Sequence, residues 1–387
     1  MTDTPPPELR VTDDPGQLPR QAWNELLAQS AQPSPFMRLE YLQALHEADC
    51  ARAETGWQPQ FLSLWQGDEL MAACPAYLKA HSYGEYVFDW AWADAYARHG
   101  LDYYPKLLVA VPFTPVPGSR LLARDAAARS LLARGLVRLA QDLTLSSVHV
   151  LFGDTQDQQA LTEAGWLPRQ QVQFHWQGQG QPSSFEAFSK SLQRDKRKKI
   201  QQERRRVAEA GIRFEALEGE AITAEDWDFF HRCYTLTYDA HRSRPYLSRE
   251  FFARMAARMP QHWLMFLARD DRGERVAASL IGLDRAQQVA YGRYWGALRY
   301  IPCLHFEACY YQPLAWCLAR GWRRFEGGAQ GEHKMARGLL PVATHSAHWL
   351  AHPQFRAAVA DFLEREGQAV TEYIDELESH QPFRPAP

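Results

Sequence analysis

The sequence is short of the features that mark secreted, membrane-spanning or metal-built proteins. It holds six cysteines in 387 residues, and no two of them stand as Cys-x-x-Cys. That spacing argues against a disulfide framework or a zinc ribbon, and for reduced thiols in a cytoplasmic protein. No apolar run approaches the ~20 residues that a bilayer span requires. The opening Met1-Thr2-Asp3-Thr4-Pro5-Pro6-Pro7 lacks the basic and apolar stretches of a secretory leader. Charge of one sign is not in excess either: 43 Lys and Arg stand against 46 Asp and Glu. Contact with nucleic acid would therefore need a local patch. The GxSxG elbow of serine hydrolases and the GxxxxGK[ST] phosphate loop are both missing.

What is present is an ordinary globular balance, 46% hydrophobic and 23% charged residues, in a chain long enough for two domains. Periodicity predicts helices over 18–30 and 36–47, and a hairpin of strands 60–65 and 69–78 around Gly67. Residues 79–123 read as irregular. An amphipathic helix follows over 124–143, with Leu131, Leu132, Leu136, Leu139 and Leu143 on one face. Strands at 148–152 and 172–176 flank a short helix. The Gly/Gln/Pro stretch 177–184 is the expected linker, dividing the chain into domains 1–178 and 179–387. The second domain opens with a charged helix over 185–210. A strand, two helices, a hairpin, a strand at 288–295, a helix at 304–320 and a strand at 323–326 follow, then a helix over 355–377. Both halves give strand, two helices, meander, long helix, strand. That matched order argues for tandem duplication and a mixed α/β fold.

Four segments carry candidate chemistry. Residues 79–92 mix aromatics with His81, Glu85 and Asp89, and Tyr83 and Trp90 supply the walls that a ligand pocket needs. The second segment, Tyr291-Gly292-Arg293-Tyr294-Trp295-Gly296, reads as a central strand. Alternation puts Tyr291, Arg293 and Trp295 on one face and Tyr294 on the other. Its glycines suggest a bulge or a close backbone approach. Arg293 is costly there unless it meets an anion, and the plain structural alternative is an ion pair with Glu307. On the next helix, His305 and Glu307 are candidate proton acceptors. The third segment follows the strand at 323–326. Gly327, Gly328 and Gly331 can turn backbone N–H groups toward an anion or oxyanion. Gln330, Lys334 and Arg337 would hold substrate, and Glu332 and His333 are the expected general base and proton shuttle. The fourth segment, Lys196-Arg197-Lys198-Lys199, is basic enough to meet the phosphates of a tRNA, although a solvated helix face explains it equally well. His345, His348 and His352 straddle a predicted strand and a Pro353 helix start, so no metal is expected.

Together these segments resemble the FemAB-like family of predicted N-acyltransferases, related to the GNAT (acyl-CoA N-acyltransferase) fold, from Pro35-Phe36 to Pro382-Phe383. The blocks that carry the likeness are His81 to Trp90, Tyr103-Tyr104-Pro105-Lys106, Pro112 to Val116 and Tyr291 to Gly296. Leu304 to Tyr311, Gly328 to Lys334 with Arg337-Gly338, and the Lys196 helix complete the set. The family's Asn-x-Gly-Tyr linker is replaced by Gln177-Gly178-Gln179-Gly180-Gln181. The resemblance implies two tandem GNAT-like domains in a bacterial acyl- or aminoacyl-transferase. Its co-substrate would be an aminoacyl-tRNA or an acyl-CoA, its acceptor an amine on a small molecule or peptide, with no tightly bound cofactor. The R-x-x-G-x-G/A loop that grips CoA pyrophosphate is missing, which counts against acetyl-CoA as donor. A duplicated module that binds nucleotide, peptide or tRNA without turnover is the alternative.

Overall fold

The computed structural model describes residues 5–178, 183–329 and 331–384; Gln330 and linker residues 179–182 lie outside the described residues. The chain divides into two compact units, Met1–Gln171 with Ala343–Glu372, and Val172–Val342 with Tyr373–Pro387. The division differs from a single cut at 178/179 because residues 343–372 belong to the first unit. Their apolar side chains explain this: Leu350, Val359 and Leu363 pack with Trp92, Tyr96 and Tyr103 of that unit.

In the first unit the strands Glu8–Thr12, Phe61–Gln66, Glu69–Cys74 and Leu122–Ala123 form an antiparallel sheet. Its hairpin turns at Gly67, whose φ is +62°. The strand expected over 69–78 is two strands, because Pro75 has no N–H to continue the ladder. The second of them, Ala76–Lys79, pairs instead with Trp57–Pro59 and Lys106–Val109. Lys106–Val109 lies parallel to Ser147–Leu151, which pairs antiparallel with Ser346–Leu350. The helix Ala126–Asp142 begins where the Asp125 carboxylate accepts from Ala128 N. Its core stripe is Ala128, Leu132, Leu136 and Ala140, all buried at four-residue spacing, whereas Leu143 is exposed. Gly135 on this helix admits Leu9: an added Cβ would sit 2.9 Å from a Leu9 methyl.

The second unit is one sheet in the order Arg213–Glu218, Trp263–Arg269, Arg275–Asp284, Val289–Ala297, Arg324–Glu326 and residues 172–177 of Leu167–Gln177. Only Val289–Ala297 and Arg324–Glu326 run parallel, and they pair over Val289 to Tyr291 alone. The charged helix expected over 185–210 is two helices, Phe185–Ser191 and Arg194–Glu209. The tail of the chain enters the break: Gln193 N donates to Pro382 O at 2.8 Å, and Arg384 N to Ser191 O at 2.9 Å. Those bonds satisfy backbone groups that a continuous helix would have used internally.

Candidate functional site

The two units place their candidate chemistry in different ways. In the first, the stretch expected to be irregular contains the helix Trp90–Arg98 and the strand Lys106–Val109. The register sets Lys79 directly opposite Lys106, and both side chains are fully buried. Like charges facing across a ladder are destabilising, so carboxylates must compensate. Lys106 Nζ donates to Glu85 Oε2 at 2.8 Å, to Ser82 Oγ at 2.7 Å, and to Asp89. Tyr103 O–H donates to the same Asp89 at 2.7 Å. Lys79 Nζ sits 3.7 Å above the Trp57 ring and 3.9 Å from Glu85.

Burial pulls Lys79 down to about 7 and lifts Glu85 to about 7. Burial also opposes charge on Lys106 and Asp89. There the mutual attraction wins, raising Lys106 above its ordinary value and holding Asp89 at about 2. Beside this network His149 Nδ1 meets His348 Nδ1 at 2.7 Å, one ring donating and the other accepting. Burial keeps both rings neutral by lowering their pKa values.

Of the five residues expected here to hold substrate, Glu85 and Asp89 are therefore buried in an ion-pair network. His81, Tyr83 and Trp90 lie above it as a contiguous aromatic group, with ring centroids 5.2 Å and 5.1 Å apart, and Tyr83 is 59% exposed. Sequence reasoning missed Lys79, Lys106, Tyr103, His149 and His348 as members. The signal for Lys106 was a lysine opening the apolar strand Lys-Leu-Leu-Val.

In the second unit the strand Val289–Ala297 carries a bulge. Leu280 faces Tyr294 and Ile281 faces Gly292, which leaves Arg293 without an opposite residue. The extra residue overturns the expected alternation. Tyr294 shares a side with Tyr291 and packs on Tyr234 at 5.3 Å; Trp295 takes the other side and packs on His305 at 5.1 Å. Arg293 donates to the Tyr294 hydroxyl at 2.9 Å. Gly296 is a close-approach glycine, since an added Cβ would lie 2.1 Å from Cys233 O.

The next helix is interrupted by a π turn at Glu307–Tyr311, between helical residues Leu304–Phe306 and Gln312–Ala319. Pro313 has no N–H for the Cys309 carbonyl. Gln312 N reaches back to Glu307 O, and Ser279 Oγ–H donates to the stranded Ala308 carbonyl at 2.6 Å. The π turn sets Glu307 against Arg204 Nε at 3.1 Å and Gln312 Nε2 at 2.7 Å. Arg204, not Arg293, is thus the ion-pair partner of Glu307. Burial and the nearby cations push His305 down to about 4, so its ring is neutral.

The glycine turn follows. Gly328 and Gly331 have φ of +87° and +115°, values that L side chains rarely adopt. Lys334 and Arg337, both expected to hold substrate, are both buried and diverge. Arg337 Nη2 binds both oxygens of Glu203 at 3.0 and 2.9 Å, and its guanidinium lies 3.7 Å over Phe306. Tyr311 O–H donates to the same Glu203. Lys334 Nζ donates to Gly328 O at 2.8 Å. Among the described residues no carboxylate lies within ion-pair distance of it, and burial lowers it to about 8. His333 Nε2 is 3.3 Å from the Tyr310 hydroxyl. Glu332 is exposed and accepts from Tyr373 O–H. On the basic helix Lys198 and Lys199 are exposed, whereas Lys196 and Arg197 are half-buried. Among the described residues no group of three or more His, Cys, Asp and Glu could hold a metal ion. No described helix is long and apolar enough to cross a membrane.

A model of the FemAB-like family, described as peptidoglycan biosynthesis/recognition, matches residues 15–385. The chain belongs to the FemAB-like family. Three solved structures share its architecture, each with a TM-score of 0.55. L-PGS from Bacillus licheniformis is 11% identical, covering 92% of this chain and 99% of its own. FemX is 9% identical, covering 91% and 100%. The C-terminal domain of a putative lysylphosphatidylglycerol synthetase from Agrobacterium fabrum is 10% identical, covering 88% and 94%. At these identities the likeness is one of fold. No curated protein matches the chain in sequence. This FemAB-like chain is a mixed α/β protein with the fold of two tandem GNAT-like domains.

Proposed function

We propose that this FemAB-like chain transfers an acyl or aminoacyl group from an activated ester or thioester to an amine, in peptidoglycan or lipid biosynthesis. The observation that carries the reading is the Lys334 ammonium, buried in the glycine turn with a backbone carbonyl as partner and no described carboxylate nearby. Such a cation lacks its counter-charge in the free protein and gains one when an anion arrives. The amine nitrogen attacks the donor carbonyl, a C–N bond forms, and the carbonyl electrons move onto oxygen. Lys334 and the N–H groups of Gly328 and Gly331 steady that oxyanion, the Gly327 N–H being held by Phe174 O. The C–O or C–S bond then breaks, and the leaving group takes a proton.

His333 is the favoured base, because its ring is accessible, lowered by burial and cations, and next to the Tyr310 hydroxyl. Glu332 and Glu307 are each already held, by Tyr373 and by Arg204 with Gln312. His305, lowered further, would shuttle rather than accept the first proton. His81, Tyr83 and Trp90 offer a substrate-binding surface on the first unit.

The test is to incubate the protein with acyl-CoA or charged tRNA and peptidoglycan-type amines, and to read transfer by mass spectrometry. Lys334→Met should cost on the order of 10² to 10³ in rate with the fold intact. Unchanged transfer in both Lys334→Met and His333→Asn would overturn the assignment. A second reading, a binding module, is favoured by the commitment of both carboxylates to protein partners; saturable binding of those amines without turnover would establish it. Transfer RNA as donor is tested by salt titration of binding, which should lose slope when Lys198 and Lys199 are neutralised.

A further inference from the structure

The second unit contains a pocket of about 620 Å³ apart from the glycine turn. Its walls are the helices Phe185–Ser191 and Arg194–Glu209 and the start of the strand Arg213–Glu218, and its inner end reaches Glu307 and Gln312. The volume falls in the range of small-molecule sites. The floor is apolar, with Ile200, Val207, Ile212 and Phe214 contributing side chains. Phe185 forms a further wall, stacked 4.5 Å from the Arg204 guanidinium.

The charges around this floor are nearly all matched. Arg204 pairs with Glu307 at the inner end. At the mouth Lys190 pairs with Glu186 at 2.7 Å, and Arg205 with Glu209 at 3.5 Å. Among the described residues Arg197 is the lining cation without an ion-pair partner. It is half-buried one turn before Ile200 and Gln201. A site with an apolar floor and a single uncommitted positive charge suits a ligand with one apolar chain and one negative head. A polyphosphate would meet the Glu186 and Glu307 carboxylates with only one free cation to receive it.

We propose that this pocket binds a singly charged amphiphilic anion, an acyl chain ending in a carboxylate, with its head at Arg197 and its chain along Ile200, Val207 and Phe214. The proposal does not depend on the transferase reading, and it is tested by binding alone. Dodecanoate, kept below its micellar concentration, is titrated into the full chain by calorimetry, with dodecanol and AMP as parallel probes. One saturable dodecanoate site is expected. Ala208 is solvent-exposed and lines the pocket, so Ala208→Trp should fill the space without disturbing the core and should abolish binding. Arg197→Glu should weaken dodecanoate about tenfold or more while leaving dodecanol nearly unchanged. Equal affinity for dodecanol and dodecanoate would remove the charged-head assignment. Binding of AMP in place of dodecanoate would replace the acyl ligand by a nucleotide. Dodecanoate binding that survives Ala208→Trp would place the site elsewhere.

Discussion

The buried charges of the two units invite comparison. In the first unit two lysines meet two carboxylates, and the cluster is neutral within itself. In the second, Arg337 is matched by Glu203, but Lys334 has a carbonyl and no described carboxylate. A closed cluster holds a fold in register and has little left to offer a ligand. An open one carries a standing electrostatic deficit that a ligand can relieve. The first unit's polar core is on this view architectural, and the second unit's is where an anion belongs.

The comparison breaks most visibly at Lys106. Lys106→Met strands Asp89 without a cation and leaves Glu85 only Lys79 at 3.9 Å, and unfolding free energy from urea titration should fall by about 3–5 kcal/mol. A loss under 1 kcal/mol would mean the cluster is not the closed unit described. Lys334 should behave in the opposite way. Its native pKa of about 8 lies below the ordinary 10.5, so between those values the unfolded chain binds more protons than the folded one. Stability therefore rises as pH climbs from about 8 to 10.5, by up to about 3 kcal/mol, and is flat in this group below 8. Lys334→Met should be more stable than the parent at pH 7 and should lose that rise. Transfer should decline above about pH 8 as the ammonium is lost, and Lys334→Arg should move the decline to higher pH. Smallest of the three, Glu203→Gln should cost about 2 kcal/mol by the same titration. Arg337 there keeps the His333 carbonyl and its stacking on Phe306.

The legibility of each feature followed how local its cause was. The hairpin at Gly67 and the helix Ala126–Asp142 rest on neighbours in sequence, and periodicity found them. The helix Trp90–Arg98 escaped because its buried stripe is only Trp92 and Tyr96 amid alanines and polar residues. Glu203 was hidden in a basic run that looked like a solvated face, and its partner Arg337 is 134 residues away. The π turn lay inside what periodicity reads as a plain helix, and Arg204, the partner it gives Glu307, stands 103 residues away. Of the candidate site, the glycine turn and Lys334 were legible as a group. The partition between Lys334 and Arg337 was not, because spacing cannot say which cation finds a carboxylate.

The bulge at Arg293 has a bearing on how this strand is matched to others. Counting positions along it works on either side of the bulge but changes parity across it. An engineer who deleted Arg293 would remove the bulge yet leave Tyr294 and Trp295 on the sides they now occupy, because Gly292 and Tyr294 would then stand as consecutive residues against Ile281 and Leu280. Side chains borrowed position by position from a bulge-free strand would, by contrast, arrive on the wrong side from Tyr294 onward, however well their identities agreed.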